Sequence, residues 1–120
     1  MHATILFGHG SRDPLWRVPI DTVAQRMRDI DPHISVRCAF LELTEPTLKA
    51  ATQELIAGGA TRITIVPMFL GLGKHAREDT PMLVTTLQAT YANVDFYLKP
   101  SVGEDFGIVN MLAQYAMPSD

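Results

Sequence analysis

Three segments carry the residue types that proton transfer and metal ligation use. FGHGSRDP, residues 7–14, sets His9 between Gly8 and Gly10 at the end of an apolar run. ELTEP, residues 42–46, carries Glu42 and Glu45, and GLGKHAREDTP, residues 71–81, carries His75 among Lys74, Arg77, Glu78 and Asp79. A neutral imidazole is a borderline ligand for first-row divalent ions, and with an unperturbed pKa of about 6.5 it accepts protons near neutrality. His9 and His75 are therefore candidates for both tasks.

The glycines beside His9 remove side-chain bulk, so a large flat ligand could approach closely; a simple turn is the other reading. Glu42 follows an apolar strand end where an unpaired carboxylate would be costly, and metal ligation or a cationic partner would offset that. Arg12 reads equally as a surface charge or an anion anchor, while Lys74 and Arg77 could meet carboxylates. Ser11 and Asp13 suit caps for the following helix, and Glu45 suits the cap of the helix after Pro46. Glu78, Asp79 and Thr80, ahead of Pro81, read as first-turn acids and a cap. His75-Ala76-Arg77-Glu78 also puts a histidine and a carboxylate three apart, a spacing found in some metal sites. His2 and His33 read as solvent-facing. Cys38, the single cysteine, lies in an apolar alternating run and reads as a buried structural thiol.

The elements that must position these groups are legible as alternation. β-rich runs cover residues 3–8, 34–41, 62–70 and 94–98, and helical periodicity fills the gaps. Ile20, Val23, Ala24, Met27 and Ile30 form one stripe, ended by Asp31-Pro32. Leu48, Ala51, Leu55 and Ile56 form a second, stopped at Gly58-Gly59. Met82, Leu83 and Leu87 follow Pro81, and Val109, Leu112, Ala113 and Ala116 make the last. A β-α-β-α-β-α-β-α order predicts a doubly wound α/β fold: a four-stranded parallel sheet with right-handed crossovers and helices on both faces. Ligands of such sheets bind beyond the carboxyl ends of the strands. If the first strand lies between the second and third, about 4.8 Å from each, His9, Glu42 and His75 can converge.

At 120 residues the chain is expected to be a single domain, residues 1–120. A net charge of −3 with basic residues scattered along the chain offers no stripe for a phosphate backbone, which argues against nucleic acid. No apolar stretch approaches the ~20 residues of a membrane span, and the first residues lack the basic and apolar regions of a signal peptide, so a soluble cytoplasmic protein is expected. Gly8-x-Gly10 lacks the third glycine of a dinucleotide fingerprint, and there is no G-x-S-x-G elbow and no C-x-x-C. Phosphotransfer through His9 would call for an arginine just before the histidine, where Gly8 stands.

Together, GHGSR, FLELTEP, VPMFL and the H-x-R-E-D-x-P of residues 75–81 resemble the small sirohydrochlorin chelatases, the CbiX-type cobaltochelatases and their ferrochelatase relatives, over essentially the whole chain. The resemblance implies ATP-independent insertion of a divalent metal, Co²⁺ first with Fe²⁺ or Ni²⁺ as alternatives, into sirohydrochlorin in cobalamin or siroheme biosynthesis. It implies no cofactor beyond the metal substrate, and a homodimer, since larger members contain two such halves facing across a cleft. By position it makes His9 and His75 catalytic and metal-handling and puts Glu42 near the metal; Gly10, Ser11, Arg12, Lys74 and Arg77 are then expected to contact the tetrapyrrole. A non-catalytic module that binds or delivers metal or tetrapyrrole is the alternative.

Overall fold

The computed structural model describes residues 1–119. Four parallel strands, β1 (His2–Gly8), β2 (Ser35–Phe40), β3 (Arg62–Pro67) and β4 (Asp95–Leu98), lie in the order β2-β1-β3-β4. The helices are α1 (Val18–Ile30), α2 (Leu48–Ala57), α3 (Lys74–Thr90) and α4 (Phe106–Ala116), with 3-10 turns at Pro14–Arg17 and Val102–Glu104. The predicted α/β fold is present, and β1 lies between β2 and β3, the order on which the meeting of the loops was conditional.

Side-chain alternation divides the core into two layers. Ala3, Ile5 and Phe7 of β1 and Ile63 and Ile65 of β3 are fully buried against Leu48, Ala51 and Leu55 of α2 and Val84 and Leu87 of α3. Burying each of the large side chains here contributes about 1.5–3 kcal/mol. On the opposite face Leu6, Val36, Cys38 and Phe40 pack with Ile20 and Ala24 of α1. The register aligns Gly8 with Phe40, and Phe7 with Ala39 and Pro67, so the loops leaving β1, β2 and β3 start at one level.

Two expectations change. α3 begins at Lys74 and runs through Pro81 instead of starting after it. The ring removes one backbone donor, normally a loss of about 3 kcal/mol inside a helix. However, Ala76, Thr80, Val84 and Leu87 form one continuous buried stripe across the proline, and that stripe holds the first turns in place. The cap of α2 is Thr47, whose hydroxyl accepts from the Ala50 N–H at 3.1 Å, not Glu45.

Candidate functional site

The first two strand-end loops are laced together. Past the ends of β1 and β2, the Leu41 N–H donates to the Gly8 carbonyl at 2.9 Å and the Glu42 N–H to the His9 carbonyl at 3.0 Å. Two residues further on, the Ser11 N–H donates to Thr44 Oγ1 at 2.9 Å while that hydroxyl donates to the Ser11 carbonyl at 2.7 Å. Gly10 has φ +104°, and a Cβ there would sit 1.7 Å from the Glu42 carbonyl oxygen. Leu43 has φ +64°, and the Thr44 N–H returns to the Glu42 carbonyl at 2.7 Å, closing a γ-turn of the rare, strained kind.

This lacing reassigns the glycines around His9. A Cβ on Gly8 would lie 2.6 Å from Ile20 Cδ1 and 3.1 Å from the Trp16 ring, so its smallness serves the protein's own core. Gly10 serves the close approach of loop 2. Clearance for a ligand explains neither. Ser11 accepts from the Asp13 N–H through its hydroxyl, and Asp13 caps the 3-10 turn by accepting from the Leu15 N–H.

The product of this lacing is a pair: His9 Nε2 lies 2.9 Å from Glu42 Oε1. Both side chains are about half exposed, 50% and 55%, which overturns the expectation of a buried carboxylate. Glu42 is satisfied by the imidazole beyond the sheet rather than by anything inside it. Behind the pair, Arg17 lies 4.7 Å from the Phe40 ring centre, donates to the Glu45 carbonyl and forms a two-pronged bond to Asp21. That bond raises the Arg17 pKa above its ordinary value and lowers that of the Asp21 carboxyl. Burial, then the neighbouring Asp21, pushes the Cys38 thiol up to about 11, in keeping with a structural role.

His75 is held differently. It is the second residue of α3, 89% exposed at its side chain, and its Nε2 lies 3.0 Å from Asp79 Oδ2 one turn on. Asp79 was expected as a first-turn acid; the helix already running at Lys74 makes it the partner of His75, while Glu78 at the i+3 spacing is not. Among the described residues, no three His, Cys, Asp or Glu side chains stand close enough to hold a metal together, so the strand order delivers the His9–Glu42 contact but not the full convergence. Arg12, Lys74 and Arg77 are exposed, and among the described residues none of them enters an ion pair.

A cavity of about 170 Å³ at this end is lined by Leu72, Arg77, Thr80, Lys99 and Glu104 among others. It is smaller than the ~300–1,000 Å³ usual for ligand pockets. A larger one, about 680 Å³, lies along α1 and β2 away from both histidines. The strand-end surface is therefore an open face, not a closed pocket.

Known proteins share this framework. The sequence is 34% identical over 88 residues to the sirohydrochlorin cobaltochelatase of Methanococcus aeolicus, 73% of this chain and 62% of that protein. It is 31% identical over 110 residues to the sirohydrochlorin ferrochelatase of Bacillus subtilis, 89% of this chain and 41% of that one. The chain thus spans about three fifths or less of the length of these curated relatives. Among solved structures, a CbiX protein from Marinobacter aquaeolei VT8 superposes with a TM-score of 0.82 at 27% identity, covering 96% of this chain and 93% of that one. SirB from Bacillus subtilis with Fe³⁺ superposes at 0.77 and 25% identity, covering 98% of this chain and 48% of its own. The family model named CbiX matches residues 3–117, nearly every residue from β1 to the end of α4. With the family model covering nearly the whole chain, the chain belongs to the CbiX family.

Proposed function

We propose that this chain inserts a divalent cation into sirohydrochlorin without ATP, as a single chelatase domain, cytoplasmic and homodimeric. The observation that carries the reading is the His9–Glu42 pair, fixed by backbone lacing on an open strand-end face. The names of the relatives supply the substrate, cobaltochelatase and ferrochelatase alike. Co²⁺ is the first choice of cation, with Fe²⁺ and Ni²⁺ as alternatives, because nitrogen and oxygen ligands alone do not select among them.

Insertion exchanges two pyrrole N–H protons for one M²⁺. In this reading His9, Glu42 and His75 hold the incoming ion in place of their present hydrogen-bond partners, and the two imidazoles accept the protons as the ring is metallated. Arg12, Lys74 and Arg77, which enter no ion pair among the described residues, meet the carboxylates of the macrocycle, with the Gly10-Ser11 backbone at its edge. An open face wants a second wall, and a second copy of the chain supplies one.

The test is a spectrophotometric insertion assay with sirohydrochlorin and Co²⁺, Fe²⁺ or Ni²⁺ supplied separately. His9→Ala and His75→Ala should each lower the rate by about 100-fold or more with the fold intact, the scale of a lost acid–base group. Wild-type rates in both variants would overturn the assignment, and tight binding of sirohydrochlorin without acceleration would indicate a delivery module.

A further inference from the structure

Two leucines stand in water beside the residues of the site. Leu43, next to Glu42, is 56% exposed, and Leu70, in the loop leaving β3, is 72% exposed. Single apolar side chains are ordinary on a protein surface, and most of the others here ride on helices. These two are set apart by the backbone beneath them.

Leu43 is the residue that holds the positive φ of +64°, a conformation that glycine or asparagine would take with less strain. The turn is gripped on both sides. The Glu42 carbonyl before Leu43 is pressed by Gly10 and accepts from the Thr44 N–H, and the Thr44 hydroxyl after it clasps Ser11. Strain kept in a backbone that holds an apolar side chain out in water points to a use for that side chain. Leu70 is also held, ahead of the open stretch at Gly71 and Gly73. The Gly103 N–H and the Ser101 hydroxyl both donate to the Phe69 carbonyl, and a Cβ on Gly103 would sit 1.8 Å from the Leu70 carbonyl oxygen. The loop that carries Glu42 and the loop that leads to His75 thus each present a leucine to solvent on a fixed backbone.

We propose that Leu43 and Leu70 form the apolar seat on which the face of the tetrapyrrole rests. The inference rests on the chelatase reading and adds what receives the ring itself, a task that falls to neither the histidines nor the cations. A tetrapyrrole of this kind is a flat apolar face bordered by carboxylates. The two leucines answer the face, and Arg12, Lys74 and Arg77, exposed and in no ion pair among the described residues, answer the border. Because both leucines already stand on locked backbone, little has to be ordered when the ring arrives.

Asparagine is close to leucine in size and takes positive φ more readily, so Leu43→Asn should melt at or above the wild-type temperature. Its KM for sirohydrochlorin should nonetheless rise about ten-fold, the share of one apolar side chain, with kcat changed by less than about two-fold, as when substrate binding is lost and chemistry is not. Leu70→Ser should do the same. Ile30→Ser, as exposed but at the last residue of α1, should leave KM unchanged. Wild-type KM in both leucine variants overturns the seat and leaves the chelatase reading standing. A raised KM accompanied by a fall in mass on light scattering assigns the leucines to a contact between copies and overturns it too. A wild type that inserts no metal removes the chelatase reading alone; the seat is then read from quenching of Trp16, the single tryptophan, by sirohydrochlorin, and unaltered affinity in both leucine variants overturns it.

Discussion

The two histidines sit at the same end of one sheet and are held by opposite means. His9 stands in a loop whose backbone is bonded to its neighbour at four points, at Leu41, at Glu42 and twice through Thr44, with Gly10 pressed on the Glu42 carbonyl. His75 stands on the first turn of a helix reached through Gly71 and Gly73, where an added Cβ would meet nothing within 4 Å, and its polar partner, Asp79, is on its own helix. One imidazole is fixed by the lacing of two loops, and the other stands exposed on the first turn of a helix. Preorganisation of a site therefore cannot be judged from residue types alone; it depends on what the backbone beneath each side chain is bonded to.

The sharpest way to break that contrast is Gly10→Ala. Between a φ of +104° and a 1.7 Å overlap with the backbone, it should destabilise the protein by about 2–4 kcal/mol and separate His9 from Glu42, measured by thermal melting and by insertion rate. Unaltered stability would mean that the loops are not locked. Thr44→Val removes the hydroxyl that both accepts from and donates to Ser11, and about 1–2 kcal/mol should go with it in urea titration. Acid titration reaches the support behind the pair. Because the Asp21 pKa lies below its ordinary 3.8 in the folded chain, its bond to Arg17 contributes in full above that pH and is lost as pH falls through the lowered value. Partial exposure limits the effect to under about 1 kcal/mol, and Asp21→Asn should flatten the acid limb of the stability curve by that amount. Smallest of all, Gly71→Ala meets open space and should change melting by no more than about 0.5 kcal/mol. A large loss there would show the third loop to be as tightly fixed as the first.

The fold class was legible because the β-α alternation admits few topologies, and the meeting of His9 and Glu42 across 33 positions followed on a condition that the structure meets, β1 between β2 and β3. The partner of His75 was not. Pro81 reads as a helix start by local rules, so residues 74–80 read as loop, and the i+4 relation between His75 and Asp79 disappears with the helix that creates it. The buried stripe through Ala76 and Thr80 is a tertiary fact, visible only once α3 meets the sheet. Glu42 was expected inside because an apolar strand precedes it, yet the chain leaves the sheet at that residue. Thr44 carried no signal at all; a threonine in a loop does not announce that its hydroxyl clasps another loop. The periodicity of α4 correctly predicted a helix with an apolar face, but not that the face would look away from its own sheet.

The contact between His9 and Glu42 sets a condition on how a cation could enter. A hydrogen bond of 2.9 Å between Nε2 and Oε1 contains one hydrogen, whichever atom carries it. A cation bound to both atoms leaves no place for that hydrogen. Capture of an ion by this pair would therefore require that hydrogen to leave first, to Nδ1 of a neutral imidazole, which frees Nε2 as a ligand, or to the medium where the pair holds one proton more.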